Sequence, residues 1–345
     1  MKKAVVALSG GVDSSVVALL LKKQGYEVVG LTGKMINSEA ADTVCANAKR
    51  VADKLGIQHV VFDATKVFQK KVINYFEESY SKGETPNPCI MCNKFIKWGI
   101  LFDYAINKLN ADVFATGHYA NIKNINGIYK LYPAKDERKD QLYFLHKLTQ
   151  EQLSKTAFPL SEFSKDEVKQ MAIEFDLPPK DSKESQDICF IPKPLTSKKY
   201  LTEKLGINKG NFIEIGTGKK LGEHDGSYLY TIGQRKGIGI SAPYPLYVID
   251  IDPEQNIVYL GKEEDNYKTR LALRDVNFSY PIVETTFDAW VKIRYNMQAK
   301  KAKCTIIDDL IEIEFYEPIN SITSGQSGVI YDIDDKHLIG GGTVI

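Results

Sequence analysis

The sequence has no apolar run of the roughly 20 residues that a membrane-spanning helix needs, and it has no excess of charge of one sign. Lysine and arginine number 45 and aspartate and glutamate 44, so only local basic patches, and not the charge of the whole chain, could attract nucleic acid. No cleavage-site pattern follows the first apolar stretch, which argues against a signal peptide. We therefore expect a cytoplasmic protein with no membrane partner.

Cysteine is also scarce. The five cysteines are unevenly spaced, at Cys45, Cys89, Cys92, Cys189 and Cys304. In a cytosolic chain this number and spacing do not predict a disulfide framework. Cys45 and Cys304 lie in apolar helix and strand patterns and are expected in the core. The other three lie in polar, irregular segments, which makes them candidates for chemistry.

Strand and helix patterns alternate through the first third of the chain. Short apolar runs, such as 4–8, alternate with amphipathic helical patterns, such as 12–24 and 39–55. This alternation predicts an α/β fold with a doubly wound parallel sheet, whose ligands bind outside the carboxyl ends of the strands. Later, Asn126-Gly127 predicts a hairpin, and a capping box at 164–167 predicts the start of a helix.

The second half has a different pattern. From about residue 197 glycine is frequent and strand patterns dominate. We therefore predict three domains: a catalytic domain at 1–196 that holds the parallel sheet, a small mixed domain at 197–263, and a C-terminal β-barrel at 264–345.

A glycine-rich loop, Ser9-Gly10-Gly11-Val12-Asp13-Ser14, joins the first strand to the first helix. Its glycines let the backbone approach a ligand, and the helix N-terminus favours phosphate or pyrophosphate. Asp13 would face that anion, so we expect Mg²⁺ to accompany the phosphates. The loop is neither a Walker A loop nor a dinucleotide fingerprint. It resembles the signature of the ATP pyrophosphatases, which cleave ATP between its α and β phosphates. A tight strand–helix turn with an N-capping acid is the alternative.

Cys89 and Cys92 form a C-x-x-C pair in a loop with two prolines. Asn93 is placed to cap the next helix, which would put Cys92 at a helix N-terminus that favours its thiolate. With Cys189, the pair supports two chemistries. Either one cysteine carries a persulfide that another resolves as a disulfide, or all three hold an iron–sulfur cluster with one iron open to sulfide. A structural zinc site would prefer a fourth ligand, and the sequence offers no obvious one.

Several longer motifs carry a family resemblance. They are TPNPCIMCNKFIKWG at 85–99, ATGHYA at 115–120, KDQLYFL at 139–145, SKESQDICFIP at 182–192, TIGQRKGIGI at 231–240, GQSGVIY at 325–331 and IGGGTVI at 339–345. The sequence resembles the bacterial tRNA-specific 2-thiouridylases (the MnmA family) over essentially the whole chain, and the motifs follow the same order. The resemblance implies an adenine nucleotide α-hydrolase-like fold. It also implies ATP-dependent conversion of the wobble uridine of tRNA to 2-thiouridine, through adenylation of the 2-oxygen and then sulfur transfer, which releases AMP and pyrophosphate. A sulfur-donor or sulfur-relay protein would be a partner.

The resemblance also implies roles for individual residues. Cys92 would be the catalytic nucleophile, and Cys189 would bear the persulfide and could form a disulfide with Cys92. ATP would be bound by Ala7, Leu8, Ser9, Gly10, Gly11, Val12, Asp13, Ser14, Gly33 and Gly117. The target base would contact Asn87, Pro88 and Cys89. Other parts of the tRNA would contact His118, Lys139, Asp140, Gln141, Arg294, Tyr295 and Gln326.

Two positions depart from the family pattern. Many members have Asp where this chain has Cys89, and a thiol with an ordinary pKa of about 8.5 serves less well than a carboxylate as a base at neutral pH. The substitution strengthens the hypothesis of a [4Fe–4S] cluster on Cys89, Cys92 and Cys189. The second departure is Gly33, which aligns without a gap with a family methionine that contacts adenosine, whereas Met35 lies two residues later.

The C-terminal region contains an alternating basic strand. Trp290, Lys292 and Arg294 alternate with Val291 and Ile293, which predicts one basic, aromatic face and one apolar face. The basic face could contact RNA phosphates or be merely solvated. Two other functions stay open: another RNA-modifying ATP pyrophosphatase, and a non-catalytic iron–sulfur or zinc RNA-binding protein.

Overall fold

The computed structural model describes residues 1–178 and 188–345. The strands of the first half are β1 Lys3–Ala7, β2 Glu27–Lys34, β3 Gln58–Asp63, β4 Val113–Ala115, β5 Asn121–Ile125, β6 Ile128–Tyr132 and β7 Thr156–Ala157. A parallel sheet has the order β3-β2-β1-β4-β7. The chain moves outward from β1 first to one side and then to the other. This confirms the predicted doubly wound sheet.

Helices cover both faces of this sheet. They are α1 Val12–Lys23, α2 Glu39–Leu55, α3 Thr65–Phe68, α4 Asn74–Ser81, α5 Pro88–Cys92, α6 Phe102–Asn107, α7 Gln150–Ser154 and α8 Lys165–Glu174, with π-helical segments at Gln69–Ile73 and Asn93–Leu101. Successive strand residues point to opposite faces, so Val5 packs with one layer of helices and Val6 with the other. Every helix within residues 1–178 and 188–345 is too short or too polar to span a membrane.

A small mixed unit follows the parallel sheet. Its helix, α9, spans Ser197–Leu205, and its strands are β8 Gly210–Glu214, β9 Lys220–His224, β10 Tyr247–Asp252 and β11 Ile257–Gly261. The strands form a sheet of order β10-β11-β8-β9. Phe212, Val248 and Leu260 form part of a core of their own.

The C-terminal region is a closed antiparallel barrel, as predicted. Its strands are β12 Tyr267–Phe278, β13 Thr286–Lys292, β14 Lys300–Ile307, β15 Leu310–Asn320, β16 Ser327–Tyr331 and β17 Leu338–Val344. They follow the order β12-β15-β14-β13-β16-β17, and pairing of β12 with β17 closes the barrel. Val291, Ile293 and Cys304 are buried in it, which confirms the predicted apolar face of residues 290–294 and the core position of Cys304.

The predicted hairpin at Asn126-Gly127 is present and joins two parts of the chain. It consists of β5 and β6, and its two turn residues have φ of 53° and 87°, the positive values that a type I′ turn requires. Leu131 of β6 pairs with Leu338 of β17. A segment of the first half therefore extends the barrel sheet and ties the two regions together.

Two local predictions are wrong. The helix near Cys92 begins at Pro88, with Asn87 as its cap, and it continues into the π-helical segment beyond Cys92. Cys92 therefore lies inside a continuous helical stretch, where no free N-terminal N–H groups favour its thiolate. Cys45 is half-buried and its neighbour Val44 is exposed, because this side of α2 borders a cavity and not the core.

Candidate active site

The glycine-rich loop is fixed by its own hydroxyl groups. Ser14 Oγ donates to the carbonyl of Gly11 at 3.2 Å and lies 3.1 Å from Ser9 Oγ. Gly10 has φ of +73°, and a Cβ there would lie 2.7 Å from the backbone nitrogen of Ala48 in α2. Only glycine fits this position. The loop therefore holds the N-terminus of α1 in a preformed shape that suits a phosphate group.

Asp13 in this loop is paired with a lysine. Lys165 is the first residue of α8, and its Nζ lies 2.6 and 2.8 Å from the two carboxylate oxygens of Asp13. The Tyr119 hydroxyl donates to the same carboxylate at 3.1 Å. Lys165, which is 5% exposed, thus compensates the acidic charge beside the phosphate site. The pair accounts for Asp13 without a bridging Mg²⁺. Sequence analysis missed Lys165, although the confirmed capping box of Ser164 had placed it at the start of a helix.

Behind the loop lies a cavity of about 250 Å³, here called the nucleotide pocket. It is lined by Ala7, Leu8, Ser9, Leu31, Thr32, Gly33, Met35, Ile36, Ala40, Ala41, Val44, Phe68, Lys97, Leu101, Cys189 and Phe190. A Cβ on Gly33 would lie 3.0 Å from the Met35 Cε methyl and 3.0 Å from Leu101 Cδ1. Met35 therefore occupies the space that a longer side chain at position 33 would need. The methionine side chain therefore comes from two residues further along the chain, just after the end of β2.

Gly117 and His118 connect the glycine-rich loop to Lys97, the second lysine of the site. A Cβ on Gly117 would lie 3.0 Å from Asp13 Cβ and 3.1 Å from the nitrogen of Ser14. The next residue, His118, lies 2.8 Å from Thr116 Oγ1 through Nδ1 and 3.4 Å from Lys97 Nζ through Nε2. Burial and the nearby ammonium group of Lys97 hold the pKa of His118 well below its usual value. His118 is therefore neutral at physiological pH.

The three candidate cysteines lie close enough to influence one another. Cys89 and Cys189 each raise the pKa of Cys92, but burial is the main cause and raises that pKa to about 12. Partial desolvation also raises the pKa values of Cys89 and Cys189, although both residues expose part of their surface. Lys97 opposes the rise at all three. All three are free thiols, which the raised pKa values keep protonated at neutral pH.

The three sulfur atoms are not arranged for a single metal ion. Within residues 1–178 and 188–345, the group of ligand atoms that lie within 4.8 Å of one another is Asp332, Asp335 and His337 in the barrel. Cys89, Cys92 and Cys189 do not form such a group. Of the motif around Cys189, residues 182–187 lie outside the described residues.

The loop that leads to Cys89 is held by the barrel. Thr85 donates its N–H to the Ser324 carbonyl at 2.8 Å and accepts at its own carbonyl from Gln326 Nε2 at 2.7 Å. One residue earlier, Glu84 forms an ion pair of 2.6 Å with Arg274. After the loop, Asn87 Oδ1 accepts from the N–H of Cys89 at 3.2 Å. Gln326, predicted to contact tRNA, thus lies beside the residues predicted to contact the target base.

Other residues predicted to contact tRNA border a larger cavity of about 670 Å³ between the parallel-sheet region and the barrel. Asp140, Trp290, Lys292 and Tyr295 are among its lining residues. Burial raises the pKa of Asp140 to about 6, and its Oδ1 atom has no hydrogen-bond partner within the described ranges. Lys139 ends a short 3₁₀ turn just before Asp140. Gln141 instead faces inward, where its Oε1 accepts from the N–H of Tyr119 at 2.9 Å.

Arg294 is placed differently from its neighbour Tyr295. Its Nη2 donates to the carbonyls of Ile232 at 2.8 Å and Ser321 at 3.0 Å, and it also bonds to Thr323. The guanidinium group therefore joins the small mixed unit to the barrel. The Tyr295 ring packs on Phe144 with ring centroids 4.6 Å apart, at the edge of the larger cavity.

Comparisons with known proteins cover nearly the whole chain. Family models match residues 2–193 (tRNA methyl transferase HUP domain), 198–262 (tRNA methyl transferase PRC-barrel domain) and 268–344 (Aminomethyltransferase beta-barrel domain). The chain is 42% identical over 360 residues to a tRNA-specific 2-thiouridylase MnmA of Carboxydothermus hydrogenoformans, covering 99% of this chain and 97% of that one. It is 43% identical over 358 residues to the protein of the same name from Clostridium kluyveri, covering 99% of each. A solved 4-thiouridine synthetase–RNA complex with bound ATP is 24% identical, with a TM-score of 0.39, over 59% of this chain and 49% of that one.

Proposed function

Because this chain belongs to the tRNA-specific 2-thiouridylase family, we propose that it uses ATP to convert the wobble uridine of tRNA to 2-thiouridine. It is a tRNA-uridine 2-sulfurtransferase. This proposal takes its substrate from the family and its chemistry from the geometry of the site. It places the reaction in the cytoplasm, where tRNA is used.

The observation that carries the proposal is the shared lining of the nucleotide pocket. Ser9 of the phosphate loop and Cys189 border the same cavity of about 250 Å³. The apolar residues around Gly33 and Met35 suit an adenine ring, and the loop at the mouth suits the phosphates. ATP bound there would have its α-phosphate close to Cys189.

The reaction follows in two steps. First, the 2-oxygen of the uridine bonds to the α-phosphorus of ATP, and pyrophosphate leaves toward the loop at 9–14, with any Mg²⁺ entering on the ATP. Second, the terminal sulfur of a persulfide on Cys189 attacks C2, and AMP leaves with the former 2-oxygen. The thiol of Cys92 then attacks Cys189 Sγ as its proton passes to the departing 2-thiouridine, which leaves a disulfide between the two cysteines. An external thiol reduces this disulfide, and a sulfur-donor or relay protein restores the persulfide.

We further propose that tRNA lies across the two cavities. Asn87, Pro88 and Cys89 would meet the target base, with Gln326 and His118 nearby. The larger cavity, which Asp140 and Tyr295 line, would receive another part of the anticodon arm, and Lys139 would contact tRNA from the adjoining 3₁₀ turn. In this proposal Gln141 and Arg294 support the tRNA-binding surface and do not contact the tRNA directly, because their side chains already bond to the protein.

An iron–sulfur cluster is the second candidate for the sulfur carrier. The proximity of three thiols, with Cys89 in place of the family's aspartate, favours it. Cys89, Cys92 and Cys189 would hold three irons of a [4Fe–4S] cluster, one fewer than the usual four cysteine ligands, and the fourth iron would be able to hold sulfide. An absorption spectrum of anaerobically purified protein and of Cys89→Asp separates the candidates. Visible absorption that the variant loses favours the cluster, and colourless protein excludes it.

The experiment that tests the function is nucleoside mass spectrometry of tRNA incubated with the protein, ATP and a sulfur source. We expect 2-thiouridine to form only with ATP, and AMP and pyrophosphate to form in equal amounts. Thiolation of a different base atom would assign the chain to another RNA-modifying ATP pyrophosphatase. RNA binding without pyrophosphate release would make it a non-catalytic binding protein.

A further inference from the structure

Lys97 is the one charged side chain among the described residues that line the nucleotide pocket. The other lining residues are apolar or carry small neutral groups, such as the hydroxyl groups of Ser9 and Thr32. Lys97 borders the pocket together with Cys189, on the side of the cysteines. An ammonium group in an apolar cavity loses hydration, which costs free energy unless an anion compensates it.

Within residues 1–178 and 188–345, no side chain supplies that anion. No carboxylate in the described part of the chain forms an ion pair with Lys97; its polar contact is with His118 Nε2, at 3.4 Å. Because His118 is neutral and its Nδ1 faces Thr116 Oγ1 at 2.8 Å, Nε2 is the acceptor and Lys97 the donor. This contact uses one of the three ammonium protons and leaves the positive charge without a carboxylate partner among the described residues.

The backbone explains how Lys97 comes to face this pocket. Lys97 lies five residues after Cys92, in the π-helical segment Asn93–Leu101. The segment is not a regular helix, because Gly99, two residues after Lys97, has non-helical φ and ψ of −96° and −109°; π-helical irregularities of this kind recur at functional sites. In the same segment, Trp98 is 1% exposed and anchors the helix in the core. The position of the ammonium group is thus set from two directions, by the anchored helix and by His118.

We propose that Lys97 is a catalytic residue that binds the α-phosphate of ATP and then the phosphate of the uridine adenylate. This inference rests on the proposed function and adds a residue to it. In the first step, the bond from the uridine oxygen to the α-phosphorus forms while the bond to the pyrophosphate oxygen breaks. In the second, the bond between C2 and that oxygen breaks, and AMP leaves with the electron pair. Lys97 keeps its protons throughout and stabilises the charge that develops on the phosphate.

Paired binding measurements test this assignment. AMP and adenosine share the base and ribose, but only AMP has the phosphate. By titration calorimetry on the full chain, we expect Lys97→Met to weaken AMP binding by roughly ten- to a hundredfold, the effect of one charge-assisted hydrogen bond, and to leave adenosine binding unchanged. Lys97→Arg should retain most of the AMP affinity. Lys94→Met is the matched control, because Lys94 is exposed on the same helical segment and outside the pocket.

The outcomes separate this inference from the proposed function. Equal losses for AMP and adenosine, or no loss for either, would overturn the role of Lys97, whereas wild-type thiolation of tRNA would still stand. Absence of thiolation by both the wild type and Lys94→Met would instead overturn the function. Thermal unfolding of each variant shows whether it folds, and Lys97→Gln replaces Lys97→Met if the latter does not.

Discussion

Lys165 Nζ lies 2.6 Å from one carboxylate oxygen of Asp13 and 2.8 Å from the other, which joins the start of α8 to the phosphate loop. The pair brings an acidic residue to an anion-binding loop without leaving its charge uncompensated. It also fixes the distance between two helices that pack on the same face of the sheet.

The first prediction concerns this pair. Lys165→Met leaves the Asp13 carboxylate facing the phosphates, so we expect the KM for ATP to rise at least tenfold and stability to fall by about 1–3 kcal/mol. The double variant Asp13→Asn with Lys165→Met should recover part of the ATP affinity, because the repelling charge is gone. Pyrophosphate release as a function of ATP concentration measures the KM of the single and the double variant. Lys169→Met, an exposed change on α8, is the control, and a double variant no better than Lys165→Met would contradict the electrostatic explanation.

The second prediction concerns the contact between the barrel and the cysteine loop. Gln326→Ala removes the bond of 2.7 Å to the Thr85 carbonyl and should free the loop that leads to Cys89. We expect the thiolation rate at saturating ATP to fall severalfold, with the KM for ATP unchanged, because the nucleotide pocket lies elsewhere. Alkylation of the exposed Cys89 should become faster. Gln255→Ala, exposed in the small mixed unit, should change neither value, and an altered KM in Gln326→Ala would argue against a local effect.

The third prediction concerns the cysteines. Cys92→Ser and Cys189→Ser should abolish formation of 2-thiouridine, because serine can neither carry nor resolve a persulfide. Both variants should keep the affinity for ATP within a few-fold, and Cys45→Ser should thiolate tRNA at the wild-type rate. Quantification of 2-thiouridine after a single turnover checks all three. Wild-type turnover by either of the first two variants would remove that cysteine from the mechanism.

The fourth prediction concerns acid stability. His146 is fully buried, and burial lowers its pKa to about 3. In the unfolded chain its pKa returns to about 6.5. Below that pH His146 is protonated in the unfolded state but stays neutral in the folded state. The free energy of unfolding should therefore decrease by about 1.4 kcal/mol per pH unit for this group below about pH 6.5.

Urea unfolding at about pH 7.5 and about pH 5.5 measures this loss in the wild type and in His146→Gln. We expect the variant to lose less stability between the two pH values than the wild type does. The comparison is made within each protein, so a constant packing defect cancels. Equal losses in both proteins would show that His146 does not contribute to the acid sensitivity.

The local patterns of the sequence predicted the elements better than the contacts between them. The strand–loop–helix around Ser9–Ser14 and the Asn126-Gly127 hairpin depend on short-range backbone preferences, and both are present. Asn93 is a plausible cap by residue type, but Asn87 followed by proline is also a helix start, and the helix begins at Pro88. The roles of Lys165, Lys97 and Thr85 depend on neighbours far along the chain, which no local pattern reveals.

The most direct test of the account follows the oxygen that sulfur replaces. A tRNA whose wobble uridine carries a heavy oxygen isotope at the 2-position is incubated with the protein, ATP and a sulfur source, and both products are analysed by mass spectrometry. We predict one heavy-labelled AMP for each 2-thiouridine, because adenylation transfers that oxygen to phosphorus before sulfur displaces it. Formation of 2-thiouridine with unlabelled AMP would contradict the account.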